Sequence, residues 1–152
     1  MQRVKFKVCC FFLLSLSILS AAPTTTDIQI KATVLNDFIG SNRTPDETYG
    51  LDLPKVELGQ IEDYLEHTIK LYPISEYVHR YQKSEDRLIG ASFWMRIENQ
   101  TPTQATVYTG GYPVVVHTKF GPMPCYTTDW AYYLAKQKDH WIVISKKVVG
   151  ES

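Results

Sequence analysis

Asp63 and His67 are the first residues whose types and spacing could do chemistry. Four positions apart on a helix, the carboxylate could orient the imidazole for proton transfer. The same residues also fit the polar side of an amphipathic helix, and we favour that interpretation because apolar residues occupy the opposite side. His117, in an apolar stretch, and Asp129, near the C-terminal aromatic residues, are further candidates for a general base.

The four histidines and Cys125 are the side chains that could bind a transition metal. None of them falls in the H-x-x-x-H or C-x-x-C spacing typical of zinc sites. We therefore predict neither a metal site nor a cofactor. The sequence also has no nucleophile elbow, no Walker loop and no dinucleotide-binding fingerprint, so it names no reaction.

Tyrosine is the residue type in excess, with 10 in the chain. Tyr and Trp combine apolar area with a polar group, which suits interfaces and ligand pockets. They suit the core of a disulfide-free domain equally well, and both roles stay open. The candidate binding residues are Trp94, Tyr108, Tyr112, Trp130, Tyr132 and Trp141.

Residues 1–21 have the layout of a secretory signal peptide. Arg3, Lys5 and Lys7 precede the apolar stretch 8–19, and small residues follow it. This apolar stretch is too short for a comfortable membrane span, so we expect no stable span after cleavage. The expected product is secreted or periplasmic.

Removal of the signal peptide changes the charge and the cysteine content. Three of the 16 basic residues leave, which gives the mature chain a small acidic excess and argues against nucleic acid as a partner. Cys9 and Cys10 leave as well, so no intramolecular disulfide is expected. Cys125 is then either a buried thiol or a site of pairing with another chain, and a homodimer stays open.

Helical patterns dominate the first half of the sequence. Residues 27–40 combine a strand-like alternation with a helical face, and we favour a helix that ends at Gly40. Residues 41–55 are predicted to be a surface loop. Residues 56–72 carry an apolar stripe at helical spacing, and a short helix is predicted over 74–81. We expect 22–55 to be an N-terminal segment that precedes an α+β domain at 56–152.

Strand patterns dominate the second half. Alternation over 88–98 predicts an antiparallel strand, and strands are also expected at 104–109 and 112–120. Residues 121–124 are predicted to be a stiff loop. A β-hairpin comes next, with arms 126–135 and 141–149. The predicted fold is α+β, with N-terminal helices on a curved, cone-like antiparallel sheet of four to six strands.

The hairpin pattern resembles the cystatin-like and NTF2-like α+β superfamily. The residues that carry the likeness are 130–135, the turn 137–140, and 141–144 with its leading Trp141. The resemblance implies a helix on a cone-like sheet, in a fold that hosts enzymes, binding modules and assembly parts. The segment 104–110 departs from the cystatin Q-x-V-x-G loop, so protease inhibition by that loop is not implied.

Three functions are compatible with these patterns. The leading hypothesis is an exported, non-catalytic domain that binds an unknown protein or small ligand through aromatic sheet residues. The second is a small NTF2-like enzyme of the isomerase or hydratase type, with His117 or Asp129 as base. The third is an inhibitor or immunity-type partner of an exported enzyme. An enzyme needs an enclosed apolar pocket, whereas a binding domain needs exposed aromatic residues.

Overall fold

The computed structural model describes residues 23–41, 48–81, 92–111, 115–118, 121–124 and 128–151. Its helices are α1 Thr25–Ser41, α2 Lys55–Glu62 and α3 Ile74–Tyr81. Its strands are β1 Thr48–Leu51, β2 Lys70–Pro73, β3 Ser92–Gln100, β4 Gln104–Gly111, β5 Val115–Thr118, β6 Gly121–Pro124, β7 Thr128–Gln137 and β8 His140–Glu151. The described chain is α+β, as the sequence predicts. The predicted signal peptide, Tyr112 and Cys125 lie outside the described residues.

The main sheet is mixed, which corrects the prediction of an antiparallel sheet. Its six strands follow the order β2-β1-β3-β4-β7-β8, and β1 is parallel to both of its neighbours. A crossover through α2 connects β1 to β2, and such a connection is what parallel strands require. The predicted surface loop 41–55 therefore contains a strand, in which Tyr49 and Leu51 are fully buried.

The predicted helix 56–72 is wrong in its second half. Helix α2 ends at Glu62, and the chain re-enters the sheet as β2 at Lys70. The side chain of Asn36 on α1 hydrogen-bonds to two backbone groups just beyond this helix end. It donates to the Tyr64 carbonyl over 3.2 Å and accepts from the Glu66 N–H over 3.0 Å. A tertiary contact thus replaces the helical hydrogen bonds that the apolar spacing predicts.

Helix α1 confirms the prediction of a helix at 27–40. Thr24 and Asp27 cap its start reciprocally, because each backbone N–H donates to the side-chain oxygen of the other residue. The strand-like alternation in this stretch arises because the helix is buried over a wide arc. Its buried residues are Ile28, Ile30, Ala32, Val34, Leu35 and Ile39. Phe38 extends this surface and contacts the rings of Tyr49 and Phe93.

The antiparallel half of the sheet contains the predicted hairpin. Strands β7 and β8 pair over their length, and the two-residue turn Lys138-Asp139 joins them. Strand β4 confirms the predicted strand at 104–109, and β3 confirms the described part of the predicted strand at 88–98, whose residues 88–91 lie outside the described ranges. Strand β5 pairs only with β6 in a separate ribbon, so the predicted loop 121–124 is a strand instead.

Within the described ranges, no helix combines the length and the apolar character needed to cross a lipid bilayer.

Candidate functional site

The candidate aromatic residues separate onto the two faces of the main sheet. The face that α1 covers, here called the inner face, carries Tyr132 and Trp141, whose exposed fractions are 1% and 6%. Trp130 lies on the same face and is half-buried. Trp94 and Tyr108 lie half-buried on the opposite, outer face. Because alternate residues of a strand point to opposite faces, the six candidates cannot form one site.

A row of residues crosses the outer face from Trp94 to Gly150. Trp94 pairs with Gly110 across β3 and β4, and Asp129 pairs with Gly150 across β7 and β8. A Cβ added to Gly110 would lie 2.1 Å from Oδ1 of Asp129 and 2.6 Å from Nε1 of Trp94. The carboxylate and the indole nitrogen therefore both lie over the bare backbone of this glycine. Oδ2 of Asp129 lies 3.3 Å from the corresponding position at Gly150.

The next row along the strands adds two cations to this face. Arg96 pairs with Tyr108, and Ala131 pairs with Lys147. Arg96 also forms an ion pair with Glu98. The ammonium group of Lys147 lies 5.7 Å from the ring centroid of Tyr133, within cation–π range.

We call the following five residues the outer patch: Trp94, Arg96, Tyr108, Asp129 and Lys147. The patch combines two aromatic rings, a carboxylate and two cations on a shallow surface. The small residues Gly110, Ala131 and Gly150 lie between them, so no bulky side chain rises from the middle of the surface. Such a set can stack against a flat ligand, accept hydrogen bonds and donate them.

The inner-face aromatic residues surround an ion pair instead. Nζ of Lys146 lies 2.7 Å from Oδ2 of Asp37 on α1. The same ammonium lies 5.9 Å from the ring centroid of Trp130 and 5.7 Å from that of Tyr132. Burial, with a smaller contribution from the Asp37 charge, raises the pKa of Tyr132 to about 12. This cluster attaches α1 to β8, which is a structural role.

The acid–base candidates do not assemble into a catalytic pair. Asp63 is the C-cap residue that follows the end of α2 at Glu62, and His67 lies outside any helix, so their predicted helical spacing does not exist. Asp129 is half-buried on the outer patch. The backbone of His117 pairs with Pro122 in the separate ribbon, and its side chain lies outside what the structure describes.

Potential metal ligands are dispersed over the described part of the chain. Within it, no three side chains of the His, Cys, Asp and Glu types come together at a position that could hold a metal ion.

A groove of about 370 Å³ lies between α1 and β3, and the sequence did not predict it. Its lining residues are Asp27, Lys31, Met95, Arg96, Ile97, Glu98 and Gln100. Lys31 forms an ion pair with Glu57 of α2, and both side chains are nearly buried, at 12% and 8% exposure. The only sequence feature that could have indicated this ion pair is that Lys31 and Glu57 each lie within an apolar helical stretch.

No protein-family model matches the chain, and no curated protein or solved structure matches it either. A function for this chain therefore rests on the geometry of the described residues.

Proposed function

We propose that this chain is an exported, non-catalytic binding domain that holds a protein or a small ligand on the outer patch. The observation that carries the proposal is the position of Trp94 and Tyr108. These two candidates lie half-buried on the face opposite α1, next to the half-buried carboxylate of Asp129. Aromatic side chains with this partial exposure are enriched where proteins contact ligands and partners.

The polar groups of the patch support binding by hydrogen bonds as well as by stacking. Among the described residues, no hydrogen bond or ion pair engages the Asp129 carboxylate. A ligand that donates a hydrogen bond to this half-buried carboxylate would form a charge-assisted bond, which stabilises the complex. The indole N–H of Trp94 lies beside it, so a ligand that both donates and accepts hydrogen bonds would find both partners at one point.

The proposal also covers the fold family of the chain and its export from the cell. A cystatin-like or NTF2-like arrangement, with a curved sheet around a helix, is supported by contacts of α1 with the interior strand β3 and with the edge strand β8. Phe38 contacts Phe93 on β3, and Asp37 pairs with Lys146 on β8. Secretion or periplasmic export is supported by the basic and apolar pattern of residues 1–21.

A second candidate function is a small enzyme that uses Asp129 as its base. The observation in its favour is that this carboxylate and the Trp94 indole both lie over Gly110. An NTF2-like pocket on the inner side is less favoured, because Tyr132 and Trp141 are buried in the core there. Asp129→Asn separates the two functions: an enzyme would lose turnover, whereas a binding domain would keep a stacked ligand with reduced affinity.

The decisive experiment compares two variants on arrays of defined glycans and peptides. Trp94→Ala/Tyr108→Ala removes both rings, and Tyr64→Ala removes a ring of the same type that is 44% exposed outside the patch. We expect the double variant to lose at least about tenfold in affinity for any ligand the wild type binds. Tyr64→Ala should bind like the wild type. Equal binding by all three folded proteins would refute the proposal, and thermal melts check folding.

A further inference from the structure

Strand β1 covers only the first part of the β3 edge. Gly50 and Leu51 pair with Ser92 and Phe93, and the Asp52 N–H then donates to the Phe93 carbonyl over 3.2 Å as the chain leaves the sheet. Strand β3 continues to Gln100, but its pairing with β4 is irregular between Ile97 and Asn99, so the regular part of the edge ends at Ile97. From Met95 onward, the described part of the chain places no strand along this edge.

The backbone groups of Met95 and Ile97 point at this open edge. Successive residues of a strand direct their N–H and C=O groups to alternate sides, and the Phe93 carbonyl points toward β1. Met95 and Ile97 therefore point the same way as Phe93, into the groove. Within the described ranges, no backbone hydrogen bond reaches them there. Trp94 and Arg96 instead direct their backbone groups toward β4.

The groove that borders this edge has one carboxylate without a cation. Lys31 is paired with Glu57, and Arg96 is paired with Glu98. The carboxylate of Asp27 accepts a hydrogen bond from the Thr24 N–H at 3.0 Å, and no ion pair neutralises it among the described residues. A ligand with a positive charge at this end of the groove would complement it.

We propose that the β3 edge from Met95 to Ile97 receives an extended peptide segment of a partner protein, which adds a short strand and places a basic side chain near Asp27. Along this part of β3, backbone donors and acceptors alternate at strand spacing and are matched by another main chain, as in β-strand addition. The stretch is about 10 Å long, enough to pair with three extended residues. This site lies at the strand edge and does not depend on the outer patch.

Amide hydrogen exchange, followed by NMR on the full chain, tests this proposal. In the free protein, the Met95 and Ile97 amides should exchange at least about tenfold faster than those of Trp94 and Arg96, which serve as internal controls. The probe is the blocked peptide acetyl-Thr-Val-Lys-Val-Thr-amide. At saturation it should slow exchange at Met95 and Ile97 about tenfold and leave the controls unchanged.

Two matched controls separate strand addition from other binding. A peptide N-methylated at alternate residues should not protect the edge, because it lacks the donors that would pair with β3. A peptide with Glu in place of Lys should bind about threefold to fivefold more weakly at low salt, and Asp27→Asn should remove that difference. The amide oxygen introduced by this variant can still accept the hydrogen bond from the Thr24 N–H, so the start of α1 stays capped.

The proposal would be overturned by slow exchange at Met95 and Ile97 in the free protein, by equal binding of the N-methylated peptide, or by no protection at millimolar peptide. Protection that rises with protein concentration alone, as a second copy would cause, would overturn it too. Chemical-shift changes confined to the Trp94 indole and Tyr108 would also overturn it while supporting the outer patch. The two sites can therefore fail independently.

Discussion

Asn36 on α1 donates a side-chain hydrogen bond to the backbone carbonyl of Tyr64, 28 positions further along the chain. The same amide group accepts from the Glu66 N–H. These two bonds hold the segment between α2 and β2 in a non-helical path, although its apolar spacing is helical. The helix end is thus determined by a residue on another element.

Asn36→Ala should lower the free energy of unfolding by about 1–2 kcal/mol, because two backbone groups lose their partner at a partly exposed site. Urea denaturation measures the change. Asn36→Asp keeps the acceptor for Glu66 and removes the donor for Tyr64, so its loss should be about half as large. Equal stability of all three proteins would show that solvent replaces these bonds without cost.

Gly50 on β1 packs directly against the side chain of Tyr77 on α3. A Cβ at Gly50 would lie 2.6 Å from two ring carbons of Tyr77 and 2.9 Å from its Cβ. Since that last atom is close to the backbone, the ring cannot simply rotate away. Gly50→Ala should therefore destabilise the protein by roughly 1–3 kcal/mol.

Gly59→Ala is the matched control, because nothing lies within 4 Å of its added Cβ. In helix α2 the same change should stabilise by about 0.5–1 kcal/mol. Thermal and urea unfolding of both variants would give opposite signs. The packing of α3 on β1 would be contradicted if Gly50→Ala were as stable as the wild type.

Hydrophobic periodicity predicted the helices and strands whose conformation depends mainly on their own residues. The hairpin β7–β8 has enough residues at one period to identify it. Helix α1 was predicted from a mixed pattern, in which a strand-like alternation accompanied the helical face and Gly40 favoured a helix. Strand β1 was missed because it has four residues, Thr48–Leu51, and only tertiary burial distinguishes it from a loop. The end of α2 was missed because Asn36, far away in sequence, takes part in it.

The candidate sites follow the same division. Composition pointed to the aromatic residues, but only strand register separates Trp94 and Tyr108 from Tyr132 and Trp141. The groove at the β3 edge was not predictable from sequence. It exists because β1 is shorter than β3, and no residue type signals that difference.

Lys31 and Glu57 form the most buried ion pair among the described residues, between α1 and α2. Glu57→Gln would leave the Lys31 ammonium without a countercharge, and we expect a loss of roughly 3 kcal/mol in the free energy of unfolding. The double variant Lys31→Met/Glu57→Leu removes both charges, so it should lie within about 1 kcal/mol of the wild type. A double-mutant cycle by urea denaturation measures both. If the single and double variants were equally unstable, apolar packing of the side chains, and not the charge pair, would account for the loss.

Lys138 occupies the hairpin turn with a φ of 55°, in the left-handed region that glycine adopts without strain. Lys138→Gly should stabilise the protein by about 0.5–1 kcal/mol, since the relief of strain exceeds the entropy that glycine adds to the unfolded chain. Asp139→Gly changes the neighbouring turn residue, which has no positive φ, and should destabilise slightly. A higher melting temperature for Lys138→Gly alone would confirm the turn geometry, and a lower one would contradict it.

Tyr132 should make the stability of the protein fall in alkali. Burial and the nearby Asp37 raise its pKa from 10.0 in the unfolded chain to about 12 in the folded protein. Between those two values the folded state keeps the phenol proton and the unfolded state loses it, so stability decreases as the pH rises through this window. The full effect on the free energy of unfolding is about 2–3 kcal/mol, and most of this stability is lost by the pH at which the Tyr132 phenol ionises in the folded state.

Urea denaturation at several pH values from 9 upward should show a steeper decline for the wild type than for Tyr132→Phe, which has no phenol to ionise. Tyr133→Phe removes a phenol from the opposite face of the same strand and should decline like the wild type. Parallel declines for the wild type and Tyr132→Phe would mean that the Tyr132 hydroxyl is accessible to solvent in the folded state.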